Sequence, residues 1–341
     1  MARRRGPDGP DGLAIVDKPA GWTSHDVVAK ARGLLGTRKV GHSGTLDADA
    51  TGVLWLGVGR ATRLLTFLSG LDKRYVGEVV LGTATSTLDA SGEVTGTWDM
   101  DAVGIAAVRA AAAGLTGAIE QVPPMVSAKK VDGRRLHELA RAGIEVERAA
   151  VPVRVDAFSV GEPVAPGVYP VDVTCSSGTY IRSLAADLGA ALGGGAHLRA
   201  LRRLSVGPYG LEEAVALEAL APERLLPPSA ALRGRPSVTV DDEVAALVGN
   251  GRVLDDAALG AAGEGPWAVL GPDGSLLAVY ERHHPGIGEQ RGDRWSNDPV
   301  PGAGWRRLYA RLRDQQAPEG DPGRDRQDRR GPEGRGPGRG A

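Results

Sequence analysis

One segment of the sequence places reactive side chains close together. Between Gly41 and Gly52 the chain reads GHSGTLDADATG, with one imidazole, His42, and two carboxylates, Asp47 and Asp49. A carboxylate can attack carbon and form a transient covalent bond, and an imidazole can transfer protons or stack on a ring. Loops on a rigid scaffold frequently carry function. The residues alone leave a second interpretation open, a turn whose polar side chains cap backbone amides.

Other kinds of site receive less support from the residues. Cys175 is the only cysteine, so an intrachain disulfide and a multi-cysteine metal site are excluded. One histidine in the 41–52 segment supplies too few ligands for zinc, and we predict no metal site. The sequence contains neither a Gly-x-Ser-x-Gly elbow nor a Gly-x-x-x-x-Gly-Lys-[Ser/Thr] loop. Phosphoryl transfer therefore has no support, although the spacing leaves a His-Asp-Ser triad open.

The elements beside the 41–52 segment are predicted from pattern. A short apolar strand at 12–16 precedes a turn, and Thr23 and Asp26 have the spacing of a capping box that begins a helix. The run VLWLGV at 53–58 is typical of a buried strand. Asp47 is therefore expected on a loop between a helix and a strand.

The rest of the chain mixes strands and helices without a regular βαβ repeat. This pattern predicts an α+β fold with a mixed or antiparallel sheet. Proline-rich sequence around 227–236 indicates a domain boundary, and 238–280 has short strands broken by turns. Strands are expected at 75–81, 151–160, 169–175 and 198–206, and helices at 102–113, 134–142 and 180–192.

Charge and hydropathy bear on partners and location. The formal net charge is -1, which by itself argues against a polyanionic partner. Two clusters are basic, Arg199, Arg202 and Arg203, and the 129–141 segment; each is either a solvated face or a phosphate contact. We find no apolar run long enough to span a membrane and no apolar segment behind the charged start. A cytoplasmic protein is expected.

Five blocks of sequence, in order, carry a resemblance to a known family. GHSGTLD at 41–47, followed by Ala50-Thr51-Gly52, resembles the catalytic signature of the TruB family of pseudouridine synthases, and the blocks span about 190 residues. The other four blocks are Val16-Asp17-Lys18-Pro19 with Gly21-x-Thr23-Ser24, Asp72-Lys73-Arg74-Tyr75, Gln121-x-Pro123-Pro124-x-x-Ser127-Ala128-x-Lys130-x-x-Gly133, and Cys175-x-x-Gly178-Thr179-Tyr180-Ile181-Arg182-Ser183-Leu184.

The resemblance implies a role for individual residues. Asp47 is the nucleophile, Arg182 keeps it ionised and directed, and Tyr75 stacks on the uracil with its hydroxyl near C5. Whether Asp47 attacks the sugar or the base stays open. Supporting and substrate-binding roles are implied for His42, which fills space left by flipped bases, and for Lys18, Asp89, Tyr180, Leu201 and Lys130, and phosphate contact is expected of Arg202 and Arg203.

The resemblance also implies a domain plan and an activity. Residues 1–11 are expected to be disordered, 12–235 to form a catalytic domain with an RNA-clamping insertion at about 121–150, 236–313 to form a small β-rich PUA-like domain, and 314–341 to be a disordered tail. The implied activity is isomerisation of uridine 55 in the tRNA T-loop, by a monomer without cofactor, membrane contact or obligatory protein partner. The alternatives are a synthase for another RNA and a non-catalytic tRNA-binding or folding chaperone.

Two positions depart from the family pattern. Ala48 stands where proline usually follows the catalytic aspartate, and His137 stands where the insertion helix usually has tyrosine. Alanine removes a fixed backbone dihedral next to the nucleophile. We therefore expect a less rigid loop that still carries the nucleophile.

Overall fold

The computed structural model of the chain describes residues 9–127, 129–131, 134–141, 143–144, 146–252, 254–261, 263, 265–283 and 304–310. The predicted tail, 314–341, lies outside the described residues, as do Ala128, Gly133, and the side chains of Lys130 and His137. In the described part of the chain, no helix is long and apolar enough to cross a membrane.

The described elements alternate irregularly along the chain. The α-helices are α1 Ser24–Leu34, α2 Thr66–Ser69, α3 Ile105–Gly114, α4 Leu136–Arg141, α5 Ile181–Ala191, α6 Asp242–Gly249 and α7 Asp256–Leu259. The strands are β1 Gly12–Lys18, β2 Val40–Ser43, β3 Thr51–Val58, β4 Lys73–Leu81, β5 Thr83–Thr85, β6 Val94–Thr97, β7 Gly117–Gln121, β8 Lys130–Val131, β9 Arg134–Arg135, β10 Val151–Val160, β11 Val168–Cys175, β12 Ala196–Val206, β13 Tyr209–Gly210, β14 Val215–Ala216, β15 Ser237–Thr239, β16 Trp267–Leu270, β17 Leu276–His283 and β18 Gly304–Ala310.

Ten of the described strands form one sheet. Its main path runs β14-β1-β3-β12-β4-β11-β10-β7, with β2 paired to β3 and β13 paired to β12. Most pairs are antiparallel, whereas β1 with β14 and β3 with β12 are parallel. The mixed sheet and the scattered helices confirm the α+β prediction. Four further strands form a separate small sheet in the order β15-β16-β17-β18.

The strands β1 and β3 are buried on both faces. Leu13 and Ile15 belong to one apolar cluster, and Ala14 and Val16, which alternate with them, belong to another. Strand β3 divides in the same way between the two clusters, which explains why its sequence is continuously apolar. A loop attached to β3 is therefore anchored to a strand that is buried on both faces.

Most predicted elements are confirmed, and the helix ends follow from local bonds. Thr23 and Asp26 form the predicted capping box at the start of α1. Strand β10 has the predicted bounds, and α5 buries Ile181, Leu184 and Leu188 in the core as expected. The periodicity was sufficient because these elements each pack one or both faces on the same core.

Three local predictions are wrong. Gly41 to Ser43 were expected in a loop but form β2, because their backbone pairs with Leu56 and its neighbours in β3. Arg134 and Arg135 were expected in a helix but pair with β8, so α4 begins only at Leu136. Asp11 was expected in a disordered segment, yet its carboxylate forms an ion pair with Arg60.

The segment that remains irregular, residues 44–50, is called the acidic loop below. It leaves β2 at Gly44, which has a φ of +72°, and enters β3 through Gly52, which has a φ of +103°. At Gly52 the backbone of β3 lies directly against that of β12, where Arg203 is the paired residue. A Cβ at Gly52 would lie 2.2 Å from the carbonyl oxygen of Arg203, so only glycine fits.

We expect Gly52→Ala to lower the free energy of unfolding by about 3 kcal/mol or more, because strain at positive φ adds to a clash between backbones. Chemical denaturation would measure the loss. Gly36→Ala is the matched control, since Gly36 also has a positive φ of +61°, but a Cβ at that position would have no neighbour within 4 Å. Equal losses in the two variants would contradict the clash.

Candidate active site

The acidic loop is fastened at its centre to helix α1. The Ser24 hydroxyl accepts a hydrogen bond from the Leu46 amide at 2.9 Å and donates one to the Leu46 carbonyl at 3.1 Å. Both residues are buried, which makes these bonds costly to lose. Because Leu46 precedes Asp47, the first turn of α1 fixes the backbone that carries the carboxylate.

We expect Ser24→Ala to slow turnover about ten-fold or more, because a small displacement of a reactive group has a large kinetic effect. Steady-state turnover and thermal unfolding would be compared. Thr116→Ala is the control, since its hydroxyl donates to the Ala112 carbonyl at 3.1 Å at the far end of α3. Equal loss of turnover in both variants would show that Ser24 acts only through global stability.

Lys18 holds the other side of the loop. Its ammonium donates to the carbonyl oxygens of Pro19 at 3.0 Å, Trp22 at 2.5 Å and Ala48 at 2.8 Å. All three of its N–H groups are thereby directed to backbone carbonyls. Burial lowers the pKa of Lys18 to about 8, against the opposing effect of Asp49 and Asp47. The bond to the Ala48 carbonyl holds the loop directly after Asp47.

Asp47 and Arg182 form a two-point ion pair. The Arg182 Nη2 lies 3.1 Å from Asp47 Oδ1, and its Nε lies 3.0 Å from Asp47 Oδ2. Two parallel bonds fix the carboxylate in direction as well as in position. Only 5% of the Arg182 side chain is accessible to solvent, whereas 47% of Asp47 remains accessible. The buried guanidinium therefore holds a carboxylate that is partly exposed to solvent.

Arg182 is itself held by two other segments of the chain. It donates to the carbonyl oxygens of Thr87 at 3.0 Å and Val126 at 2.8 Å, and it lies 3.4 Å from Asp89. Asp89 in turn accepts hydrogen bonds from Thr87 and Ser91. These contacts leave the guanidinium one orientation. They also join the 87–91 turn and the start of the predicted insertion to the acidic loop.

The start of α5 is positioned by a residue whose role was not anticipated. Gln121 is buried, and its amide side chain accepts from the Tyr180 N–H at 2.7 Å and donates to the Tyr180 carbonyl at 3.1 Å. Tyr180 is the N-cap of α5, two residues before Arg182. The glutamine was visible only as part of a sequence block, because nothing in its spacing relates it to a residue 59 positions away.

The pKa of Asp47 responds to opposing influences. Desolvation in the cavity raises it, Arg182 lowers it, and the nearby charge of Asp89 raises it. A raised pKa makes a carboxylate more basic and so a better nucleophile once it is ionised. The guanidinium keeps the ionised form available.

Tyr75 and Leu201 line a cavity of about 260 Å³ that opens beside Asp47 and Arg182. Tyr180 lines the same cavity, and Lys73 lies in its wall. Burial raises the pKa of Tyr75, so its hydroxyl is protonated at neutral pH. A second cavity of about 200 Å³, with Asp89 in its wall, adjoins the same ion pair. An aromatic face, an apolar wall and a carboxylate suit a flat heterocycle.

His42 lies outside these cavities, on strand β2. Its ring meets that of His25 edge-on, with centroids 5.1 Å apart. Burial, aided by the charges of His25 and Arg203, lowers the pKa of His42 to about 4. His42 is therefore neutral at physiological pH, which suits stacking and hydrogen bonding better than pairing with phosphate.

The three clustered arginines meet different surroundings. Arg199 pairs with Glu78 at 2.6 Å, and Arg202 forms two bonds to Asp17, at 2.7 and 3.1 Å. Arg203 is 1% exposed, so both expectations for it, a solvated face and a surface contact to phosphate, are wrong. Its strand runs through the middle of the sheet, which turns this side chain inward. The side chain of Lys130 lies outside the described residues.

The site contains the parts of a nucleophilic centre. No group of three or more His, Cys, Asp or Glu side chains within the described ranges is arranged to hold a metal ion. Asp47 presents a carboxylate, directed by the Arg182 guanidinium, beside a cavity with an aromatic wall. Such an arrangement can attack an electrophilic carbon of a bound ring or sugar.

Comparison with solved structures finds proteins that share this fold. The chain aligns with a protein in the "Crystal Structure of a Cbf5-Nop10-Gar1 Complex" with a TM-score of 0.61, 27% identity, and coverage of 80% of this chain and 78% of that one. A chain from an H/ACA RNP bound to a substrate RNA shares the fold at a TM-score of 0.60 and 24% identity, over 82% and 84% of the two chains.

Comparison with protein-family sequences identifies the class of enzyme to which the chain belongs. Residues 32–181 match the model of the "TruB family pseudouridylate synthase (N terminal domain)", and 182–226 match the "tRNA pseudouridylate synthase B C-terminal domain". The fold and the site thus define an enzyme of the pseudouridylate synthase class, an isomerase. The second match ends before residue 236, so the predicted PUA-like domain at 236–313 stays a prediction.

Relatives with a named function indicate which family within this class the chain belongs to. The tRNA pseudouridine synthase B of Streptomyces griseus is 51% identical over 282 residues, which cover 80% of this chain and 93% of that protein. The protein of the same name from Mycolicibacterium paratuberculosis is 50% identical over 278 residues, covering 79% and 93%. The chain belongs to the TruB family of pseudouridine synthases, as its sequence blocks predicted.

Proposed function

We propose that this enzyme converts uridine 55 in the T-loop of tRNA into pseudouridine, with Asp47 as the nucleophile. The observation that carries the proposal is the Asp47 carboxylate, fixed by two bonds to Arg182 at the mouth of a cavity lined by Tyr75 and Leu201. The names of relatives that are about half identical over most of the chain support tRNA as the substrate.

The reaction assigns a task to each part of the site. The target uridine leaves the base stack at a cost of a few kcal/mol, which stacking on Tyr75 helps to offset. Asp47 attack leads to cleavage of the bond between N1 and C1′, and the retained uracil turns within the cavity. A bond then forms between C5 and C1′, the bond to Asp47 breaks, C5 loses its proton, and N1 gains one. Substrate and product have the same formula, so no cofactor is consumed.

Contacts outside the cavity select the RNA. His42 fills space in the T-loop, and the basic insertion at 121–150, with Lys130, clamps the stem-loop. Arg202 contacts phosphate by exchanging its bonds to Asp17, and the 236–313 region contacts the acceptor side. We propose that the enzyme acts as a monomer. A cytoplasmic location follows from the proposed substrate.

The decisive assay is release of tritium from C5 of uridine in an unmodified tRNA transcript, with purified protein and no added cofactor. Release by wild type, mapped to the T-loop uridine and absent from a transcript with cytidine at that position, is the expected result. Tight tRNA binding without release would favour the chaperone alternative. Release only from other RNA would favour a different substrate.

A further inference from the structure

Arg203 is a buried cation that the proposed reaction has not used. Its Nε donates to the carbonyl oxygen of Val53 at 2.6 Å, and its Nη2 donates to that of Gly44 at 2.7 Å. In the part of the chain that the structure describes, no carboxylate pairs with it. Burial of a guanidinium without an ionic partner is costly, which indicates a local purpose.

Arg203 lies directly beside Tyr75. The two residues are cross-strand partners in the antiparallel pair of β12 and β4, so their side chains project from the same face. Both side chains line the cavity of about 260 Å³. Arg203 therefore lies between the aromatic wall of the cavity and the acidic loop.

The contact to the loop is close. Gly44 is the first residue of the acidic loop, and a Cβ there would lie 3.3 Å from Arg203 Nη1. The carbonyl bond at Gly44 holds one end of the loop, while the bond at Val53 holds the strand that follows it. The guanidinium thus spans the loop's two attachments to the sheet.

We propose that Arg203 is a positioning residue that lies beside Tyr75 across the two strands, bonds the Gly44 end of the acidic loop, and so fixes the aromatic wall relative to Asp47. The inference rests on the proposed function in assigning the uracil to this cavity. Its positive charge also favours negative charge on the Tyr75 oxygen. Lys73 lines the same cavity, but its ammonium donates to the Ser69 carbonyl at 3.0 Å and the Leu71 carbonyl at 2.5 Å.

The direct test is the NMR signal of Tyr75, which needs no turnover. Wild type and Arg203→Met would be labelled with ¹³Cζ-tyrosine, and Tyr75→Phe would assign the resonance. We expect Arg203→Met to shift the Tyr75 signal at neutral pH and to move its ionisation to higher pH. Arg74→Met is the matched control, because Arg74 adjoins Tyr75 but forms an exposed pair with Asp172. An unchanged signal in Arg203→Met would overturn the proposal.

Kinetics provide a second readout. Arg203→Met should lower the single-turnover rate on the order of 10²-fold, the effect of misplacing a reactive group, while the Kd for tRNA changes by less than about three-fold. Arg203→Lys should recover part of the rate, because it keeps the charge but not the three-way contact. A loss confined to Kd would return Arg203 to a role in RNA binding and refute positioning.

If Arg203→Met does not fold, Arg203→Lys and Tyr75→Ala allow a double-mutant cycle on thermal unfolding. We expect the double variant to lose less than the sum of the single shifts in Tm, since each change disrupts the same contact between neighbouring side chains. Additive shifts would overturn the link between the residues. Because the NMR and unfolding readouts do not depend on pseudouridine formation, failure of the proposed function would remain distinguishable from failure of this inference.

Discussion

We expect the Asp47→Asn variant to form pseudouridine at least about 10⁴ times more slowly than wild type, while it binds unmodified tRNA with nearly the same affinity. Asparagine has the size of aspartate but no anionic oxygen, so it cannot form the covalent bond. Arg182 keeps its bonds to the carbonyls of Thr87 and Val126, which should preserve the fold of the site.

The measurement combines single-turnover product formation with direct tRNA binding. Asp49→Asn is the matched control, because Asp49 is an exposed carboxylate two residues away that forms no ion pair among the described residues. We expect it to retain turnover within about three-fold of wild type. Turnover by Asp47→Asn within about ten-fold of wild type would eliminate Asp47 as the nucleophile. Asp47→Ala guards against recovery of activity by deamidation.

The second large effect is expected from Arg182→Met. The guanidinium lowers the pKa of Asp47, and burial raises it, so loss of the guanidinium raises that pKa further. Asp47 attacks only when it is ionised, and activity therefore falls as pH drops through its pKa. The acid limb of the rate profile should move to higher pH, and the maximal rate should fall on the order of 10²-fold or more, because the carboxylate also loses its direction.

Reaction rates measured between about pH 4 and 9 would show whether the acid limb moves in the expected direction. Asp89→Asn gives the opposite test, because the charge of Asp89 raises the pKa of Asp47 and its removal should move the acid limb to lower pH. Arg182→Lys keeps the charge without the two-point contact. Compared with Arg182→Met, it should therefore return the acid limb toward its wild-type pH more fully than it returns the maximal rate. A limb that stays in place in Arg182→Met would show that another group titrates.

The prediction that Asp47 and Arg182 act together came from family resemblance and not from spacing. The two residues are 135 positions apart, and they meet because α5 follows β11 while the acidic loop enters β3 in the same sheet. Sequence period reports which face of an element is buried, but it does not report which distant element covers that face. The roles of Gln121 and Ser24 were missed for the same reason.

The sequence by itself determined the family, the α+β class, the order of most elements and the side chains with reactive groups. Local patterns suffice for these, since capping residues and apolar periods act over a few positions. Only the tertiary structure separated Arg202 from Arg203, which look alike in one basic run. Successive side chains on a strand point to opposite faces, so Arg202 reaches Asp17 at the surface while Arg203 is buried beside Tyr75. The pairing of β12 with β3 and β4 decided which face was inside.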